Sequence, residues 1–192
     1  MLPLIEKRPT VCRLYALTAL ILPEGVLFFC DTHVNLDPTA EEIAEMTVLA
    51  AQEVLRFGVV PKAALVSHSS FGSSKASSAR KMVEALALIR ERMPDLEVDG
   101  EMHADAALNA AIRDRAVPDS KLAGTANLLV MPNLDSANIA LNLLKAAADG
   151  LQVGPLLLGM SKPIHILVQS VTARGIVNIS AVAVLEAQQA GR

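Results

Sequence analysis

The sequence predicts an α/β domain built on a largely parallel sheet. Short runs of β-branched and large apolar residues alternate with segments of about 10–20 residues whose apolar positions recur at helical spacing. This alternation is typical of units in which a helix connects two parallel strands. The chain has 192 residues, of which 52% are hydrophobic, so it can bury one or two compact cores.

The first third of the chain predicts a hairpin followed by a helix. Residues 11–22 and 26–30 are apolar runs separated by the turn signal Pro23-Glu24-Gly25. Thr39 and Glu42 then form a capping-box pattern at the start of the helix. Apolar residues occur on more than one face of this helix, and the mean hydropathy of the chain is +0.40. We therefore expect part of the apolar surface to be covered in a homo-oligomer.

The remainder of the chain continues the alternation. Strands are predicted at residues 63–66, 96–98, 128–131, 156–158 and 164–168, and helices at residues 77–93, 104–114, 135–148 and 172–188. The last helix carries one apolar stripe, formed by Ile176, Ile179, Ala183 and Ala187, which must pack against something. We expect this helix to pack on the rest of the chain, to be swapped onto another copy, or to be mobile.

Charge and composition argue against two classes of partner. The net charge is −3, so no basic field attracts nucleic acid or an anionic membrane. The chain has no Trp and one Tyr, which leaves few rings to stack on unpaired bases. The longest apolar stretch, residues 14–22, is too short to span a bilayer. Two cysteines, Cys12 and Cys30, without metal-binding spacing fit a cytoplasmic location.

A Ser/Gly segment, residues 67–74, connects a predicted strand to a predicted helix. Its sequence SHSSFGSS offers hydroxyl donors from Ser67, Ser69 and Ser70, and Gly72 permits an unusual backbone conformation. The N-terminus of the following helix adds oriented N–H groups, which suit a phosphate or pyrophosphate. The segment matches neither of the two common phosphate-loop motifs, so a Ser-rich helix cap without a ligand is an equal alternative.

An acidic segment follows, with Asp99, Glu101, His103 and Asp105. On a strand, this alternation would place all four side chains on one side, where oxygen ligands suit a hard cation. Because no further cluster completes a metal shell, we expect no metal site and interpret these residues as a hydrogen-bond network. We likewise interpret His33 as a structural residue.

Three segments resemble the phosphotransacetylase family: DGEMHADAAL at 99–108, PNLDSANI at 132–139 and GPLLLGMSKP at 154–163. The chain is more similar still to the phosphotransacetylase-like domain at the C-terminus of bacterial NADP-dependent malic enzymes, which resemble it at DTHVN, residues 31–35. Phosphotransacetylases themselves more often carry Cys at the position of Thr32.

The resemblance implies a three-layer α/β/α fold in the two-lobed architecture of isocitrate and isopropylmalate dehydrogenases. This chain would hold the C-terminal part of that architecture. Residues 11–150 would form one lobe, and residues 151–192 would return to the other lobe, most of which is absent.

The resemblance also indicates which catalytic groups are missing. Active phosphotransacetylases resemble one another in a Ser-Arg dipeptide after a Lys-Pro pair, with an Asp six residues after that Arg. When Lys162-Pro163 is aligned with that pair, Val168 and Gln169 replace the dipeptide and Gly175 replaces the Asp. Attack of a thiol on an acyl phosphate needs a base and a group that stabilises developing charge. We therefore expect no catalytic residue in this chain.

These departures remove the chemistry and do not argue against binding. The resemblance implies an acetyl-CoA-sensing regulatory and oligomerisation domain of an NADP-dependent malic enzyme, which converts malate to pyruvate and CO₂. The implied partners are acetyl-CoA or another CoA thioester as effector, the malic-enzyme catalytic domain and further copies of the chain, with no tightly bound cofactor. The candidate ligand-binding residues are Thr32, Asn35, Ser67, Ser69, Ser70, Gly72, Lys162 and Gln169.

Two alternatives to this function stay open. One is an active phosphate acetyl- or butyryltransferase, which would form acetyl-CoA from acetyl phosphate. The other is a purely structural oligomerisation module, which would bind no CoA thioester.

Overall fold

The computed structural model describes residues 6–167, 169 and 171–190, which form six strands and six helices. The strands are Tyr15–Leu22 (β1), Gly25–Cys30 (β2), Lys62–Val66 (β3), Glu97–Met102 (β4), Leu128–Val130 (β5) and Leu151–Leu158 (β6). The helices are Ala40–Arg56 (α1), Ser77–Arg92 (α2), Ala104–Leu108 (α3), Ala110–Ala116 (α4), Leu134–Ala147 (α5) and Ala173–Ala190 (α6). None of these helices is long and apolar enough to cross a membrane.

The six strands form one mixed sheet in the order β4-β3-β5-β2-β1-β6. The strands β2, β3, β4 and β5 are mutually parallel, whereas β1 is antiparallel to both of its neighbours, β2 and β6. The tight turn after Leu22 causes this reversal, because so short a connection can join only antiparallel strands. The predicted hairpin and the largely parallel sheet are therefore confirmed.

Helices cover both faces of the sheet and produce the three-layer α/β/α fold. One core lies between the sheet and α1, α2 and α6, and includes Met82 and Ile179. The other lies between the sheet and α3 and α5, and includes Leu141. Successive residues of a strand alternate between the cores, as Ala64 and Leu65 do on β3. Because both faces of the central strands are buried, these strands are continuous apolar runs in the sequence.

Helix α1 begins as its sequence predicts. The Thr39 side chain accepts the backbone N–H of Glu42 at 3.3 Å, and the Glu42 carboxylate accepts the backbone N–H of Thr39 at 2.9 Å. Most apolar residues of α1 are buried within this chain, against the sheet and α2. The apolar faces of α1 thus give no reason to expect a homo-oligomer. Exposed large apolar side chains include Leu55 at the end of α1, Ile139 and Leu143 on α5, and Val177 and Leu185 on α6.

Four predicted elements in the C-terminal half are wrong in extent. The strands expected at residues 96–98 and 156–158 are longer and span Glu97–Met102 and Leu151–Leu158. The helix expected over residues 104–114 is divided at Asn109, whose side chain accepts the N–H groups of Ala111 and Ile112 and caps α4. The strand expected over residues 164–168 is not formed at 164–167, where His165 makes one isolated bridge to Leu156. Residue 168 lies outside the described residues.

The segment from residue 151 onward packs on the same sheet. β6 pairs with β1, and Ile179 and Val182 of α6 are buried in the core that contains α1. The stripe predicted for α6 is partly wrong: Ile176 is 42% exposed, because the face turned toward α1 is formed by Ile179, Val182 and Glu186. The helix thus packs on the rest of the chain, one of the three expected outcomes. The division of the chain at residue 150 stays a prediction.

Candidate functional site

Most of the candidate ligand residues lie along one edge of the sheet. The parallel strands β2, β3, β4 and β5 end there, and β6 runs in the same direction because it is antiparallel to β1. Thr32 and Asn35 follow β2, residues 67–72 follow β3, and Lys162 follows β6. Ligands of open α/β sheets bind outside the carboxyl ends of the strands, so this edge suits a site. Gln169 lies farther along the chain, in an exposed turn before α6.

The carboxylate of Asp31 organises the segment after β2. Its Oδ1 accepts the backbone N–H groups of His33 and Val34 at 2.9 and 3.1 Å. Its Oδ2 accepts the backbone and side-chain N–H groups of Asn35 at 3.2 and 2.7 Å. The other amide hydrogen of Asn35 binds the backbone oxygen of Leu14 at 2.9 Å. Both donors of the Asn35 side chain are therefore used within the protein, which leaves its Oδ1 to meet a ligand.

Thr32 lies in a chain of hydroxyl and imidazole groups. Its Oγ1 is 2.8 Å from Oγ1 of Thr18 on β1 and 2.8 Å from Nδ1 of His33. Thr32 is buried, whereas His33 is half-buried, so His33 is the member of this chain that a ligand can reach. Burial lowers the pKa of His33, against the opposing charge of Asp31, and keeps its imidazole neutral at pH 7.

The Ser/Gly segment closes around a buried carboxylate. Oε1 of Glu101 accepts the hydroxyl of Ser69 at 2.6 Å and the N–H of Gly72 at 2.8 Å. The backbone oxygen of Glu101 accepts the N–H of Phe71 at 2.7 Å. Gly72 has a φ of 85°, which L-residues with a Cβ rarely adopt. Donors that the sequence offers to a phosphate thus bind a carboxylate of the protein itself.

The four candidate residues of this segment divide into two pairs. Ser67 and Ser69 are buried, and the Ser67 hydroxyl accepts the N–H of Ser69 at 3.1 Å. Ser70 is half-buried and Gly72 is exposed, so an anion from solvent can reach these two. The neighbouring Lys75 is exposed and adds a positive charge. Phosphate binding at this outer rim, formed by Ser70, Gly72 and Lys75, stays a prediction.

Asp99, the first member of the acidic segment, binds two other parts of the chain. Its Oδ1 accepts from the guanidinium of Arg90 on α2 at 2.9 Å. Its Oδ2 accepts the Ser120 hydroxyl at 2.8 Å and the Lys121 backbone N–H at 2.7 Å. Asp99 and Glu101 thus form the hydrogen-bond network that the sequence suggests, each with a different loop.

The expected alternation of four side chains along one strand is wrong. β4 ends at Met102 and a helix follows, so His103 and Asp105 do not continue the strand. Within the described ranges, no three His, Cys, Asp or Glu side chains are placed to hold a metal ion. Gly100 lies between the two carboxylates, where there is no room for a side chain. A Cβ at this position would lie 2.7 Å from the backbone oxygen of Leu65.

Lys162 lies far from the Ser/Gly segment. It follows β6, which is four strand positions from β3, and strands are about 4.8 Å apart, so the two groups are roughly 19 Å apart along the edge. Arg8 and Arg56 lie around the same cavity as Lys162, together with the carboxyl groups of Glu53 and Glu186. This cavity has a volume of about 180 Å³. A compact phosphate cannot contact both ends of the edge, whereas a long ligand with an anionic end can.

The positions aligned with the catalytic pattern of the family bring no base and cation together in the described part of the chain. Gln169 is exposed and neutral. Gly175 has no side chain, and its N–H donates to Oγ1 of Thr172 at 3.1 Å in the first turn of α6. Val168 lies outside the described residues. The described positions offer an amide for hydrogen bonding and no group that accepts a thiol proton.

Sequence reasoning did not single out His33 or Glu101 as parts of this edge. His33 directly follows the end of a strand, which is a position where polar side chains gather, and that placement was the available signal. Glu101 gave no local signal for its role, because its partner Ser69 is 32 residues away.

The fold and this sheet edge define a three-layer α/β/α protein with candidate ligand residues at the carboxyl ends of its strands. The family described as phosphate acetyl/butaryl transferase matches residues 1–184, and the chain belongs to that family. A phosphotransacetylase from Streptococcus pyogenes has the same fold, with a TM-score of 0.89 and 34% sequence identity. The match covers 98% of this chain and 57% of that one.

Malic enzymes are more similar to the chain in sequence. It is 57% identical over 183 residues to an NAD-dependent malic enzyme of Rhizobium meliloti (strain 1021). It is 55% identical over 174 residues to an NADP-dependent malic enzyme of Salmonella typhimurium (strain LT2). These matches cover 95% and 90% of this chain but 24% and 23% of the relatives, so the chain spans about a quarter of their length. The resemblance to both groups is therefore confirmed.

Proposed function

We propose that this chain is a regulatory and assembly domain of a malic enzyme, which binds acetyl-CoA or another CoA thioester and does not transfer the acyl group. One contrast carries the proposal: identity to malic enzymes is 55–57%, while neutral Gln169 and Gly175 stand where the family pattern has Arg and Asp. Loss of one well-placed electrostatic group costs roughly 3 kcal/mol of transition-state stabilisation. Binding can persist after the chemistry is lost.

The sheet edge suits a long ligand with anionic groups. The outer rim offers the hydroxyl of Ser70 and the charge of Lys75 to a phosphate. Lys162 offers a second cation roughly 19 Å away. His33 lies between them, after β2, and its neutral ring can donate or accept a hydrogen bond with an amide or thioester of the extended arm.

The proposed partners are a malic-enzyme catalytic domain and further copies of the chain, in the cytoplasm. Ile139 and Leu143 are 58% and 66% exposed, and they are four residues apart on α5, so they form one apolar stripe. Contact with another chain would remove this stripe from water. Sedimentation of the chain as a monomer at micromolar concentration would contradict the assembly part of the proposal.

Calorimetric titration with acetyl-CoA tests the binding part of the proposal. We expect saturable binding that weakens about tenfold in Lys162→Ala, because a hydrogen bond to a charged group contributes about 1.5–3 kcal/mol. Lys121→Ala is the control, since Lys121 is also exposed and uses its backbone N–H, not its ammonium group, to bind Asp99. Absence of saturable heat would favour a purely structural module. Phosphate-dependent formation of acetyl-CoA by the chain would favour an active transferase.

A further inference from the structure

A group of charged side chains lies between α1, α6 and the segment after β6. Glu53 of α1 is 4% exposed, and Arg56 donates to its Oε2 at 2.8 Å. Glu186 of α6 lies around the same small cavity as Glu53, and its Oε2 is 3.3 Å from Nε2 of His165. The side chain of His165 is 4% exposed. We refer to Glu53, Arg56, His165 and Glu186 as the Glu53 cluster.

The Glu53 cluster places the carboxyl groups of Glu53 and Glu186 around one small cavity. Two carboxylates held so near each other repel, and one proton removes this repulsion. Glu186 faces the His165 ring, with 3.3 Å between its Oε2 and Nε2, and its side chain is the less buried of the two, at 13% against 5% exposure. Glu186 therefore stays a carboxylate, and Glu53 is the group that takes up a proton.

The surrounding charges agree with this assignment. Burial and the charge of Glu186 raise the pKa of Glu53 from 4.5 to about 7, although Arg56 acts in the opposite direction. Burial would also raise the pKa of Glu186, but its contact with His165 and the charge of Arg56 lower it overall. Arg8 and Lys162 are the other charged side chains around the adjoining cavity.

The cluster lies where α6 contacts the rest of the chain. Ile179 and Val182 are the buried apolar residues of α6 among those described, at 6% and 8% exposure. Glu186 is one turn beyond Val182 on the same face, opposite Glu53. Because α6 buries little apolar surface, the charge state of the Glu53 cluster strongly affects the stability of its docking against α1.

We propose that docking of α6 against α1 takes up one proton at Glu53, so that the helix is held at mildly acidic pH and loosens as the pH rises. The segment before α6 carries Lys162 and Gln169, so its loosening would also disturb one end of the candidate site. The docking step itself involves no ligand, and the inference therefore does not depend on the proposed function.

The sign of the effect follows from proton linkage. Docking raises the pKa of Glu53 above the usual 4.5, so the docked state binds a proton that the undocked state has released. The contribution of Glu53 to docking is largest below pH 4.5. Between pH 4.5 and about 7, the equilibrium constant for docking of α6 falls by up to tenfold for each pH unit. Above that range both states are ionised at Glu53 and the dependence ends.

Hydrogen exchange of the full chain, followed by mass spectrometry at about pH 5.5 and about pH 8, tests this proposal. Exchange rates are corrected for the intrinsic effect of pH, and the β3 peptide serves as the internal reference. We expect the protection of α6 relative to β3 to fall by roughly tenfold or more between the two conditions. An unchanged ratio in the wild-type chain would overturn the proposal without any variant.

Two substitutions distinguish an effect of protonation at Glu53 from an effect of packing between α1 and α6. Glu53→Gln removes the group that takes up the proton, so α6 should stay protected at both pH values. Glu186→Gln removes the repulsion between the two carboxylates but not the burial of Glu53, so it should make the pH dependence smaller. Glu84→Gln changes an exposed glutamate on α2 and should keep the wild-type dependence. If both cluster variants keep the wild-type dependence, the proposal is wrong. Glu186 is on the surface side of the contact, so its variant supplies the test even if Glu53→Gln does not fold.

Discussion

The hydroxyl of Ser69 lies 2.6 Å from Oε1 of Glu101, and both residues are almost completely buried. This contact joins the loop after β3 to the end of β4. The same carboxylate oxygen accepts the N–H of Gly72 at 2.8 Å. The Ser/Gly segment therefore has its shape without any ligand, because an internal anion occupies its inner donors.

Replacement of Glu101 by Gln should destabilise the protein. The substitution removes the charge that two buried donors share and introduces an amide group with no assigned acceptor, which costs about 1–3 kcal/mol. Urea denaturation followed by circular dichroism measures the change in the free energy of unfolding. Glu91→Gln, on the exposed face of α2, should have an effect near zero. Equal stability of the two variants would show that Glu101 does not hold the segment.

Replacement of Arg113 by Met should lower the free energy of unfolding more than the same replacement at Arg115. Arg113 is 1% exposed, and its guanidinium donates to the backbone oxygens of Ala106, Leu122 and Gly124 at 2.7–3.3 Å. Its removal leaves these acceptors buried without a partner, at about 1–3 kcal/mol for each group that stays unsatisfied. Arg115 is exposed on the same helix. Thermal and urea denaturation of both variants provide the comparison, and similar losses would contradict the prediction.

Glu45 should make the protein sensitive to acid. It accepts the N–H groups of Cys12 and Arg13 and the Tyr15 hydroxyl, at 2.7–3.3 Å. Burial would raise its pKa, but these hydrogen bonds lower it overall below the usual 4.5. A carboxyl with a lowered pKa stabilises the fold above its unfolded-state pKa, and this contribution disappears as the pH falls below 4.5.

The acid sensitivity can be measured with Glu45→Gln. The difference in unfolding free energy between wild type and variant should be largest near neutral pH and should shrink as the pH falls below 4.5. Urea denaturation at several pH values gives this difference. Glu41→Gln, at an exposed position one turn earlier on α1, is the matched control. A difference that does not vary with pH would show that Glu45 does not act through its charge.

The capping box at Thr39 should contribute measurably to the stability of α1. Thr39→Ala removes the acceptor for the N–H of Glu42, and such losses cost about 1 kcal/mol. Thr39→Ser keeps a hydroxyl at the same place and should retain most of the stability. Chemical denaturation of the two variants tests the cap, and an alanine variant as stable as the serine variant would argue against it.

Patterns between near neighbours in the sequence predicted much of the fold. The turn at Pro23-Glu24-Gly25, the Thr39–Glu42 pair and the alternation of strands with helices were enough for the hairpin, the start of α1 and the parallel sheet. These signals are local because turns, caps and periodicity involve residues only a few positions apart. The boundaries near Asn109 and residues 164–167 were wrong, since side-chain capping and sheet pairing decided them.

The candidate site was predicted only as a set of residues. The sequence indicated a possible phosphate site at the loop that holds Ser70 and Gly72, and the family resemblance added Thr32 and Lys162. The sequence did not indicate that the Ser69 hydroxyl donates to Glu101, or that both amide hydrogens of Asn35 are hydrogen-bonded within the protein. Nor did it show that Lys162 is roughly four strand spacings from the Ser/Gly segment, which depends on the order of strands in the sheet.

The sequence by itself determined the family and the class of fold. Only the tertiary structure decided which polar groups meet, as Glu53 of α1 and Glu186 of α6 do around one small cavity. The physical reason is that burial and hydrogen-bond partnership are set by long-range packing, and a residue's own neighbours in the chain do not specify them. The same packing raises the pKa of Glu53 and lowers that of His33.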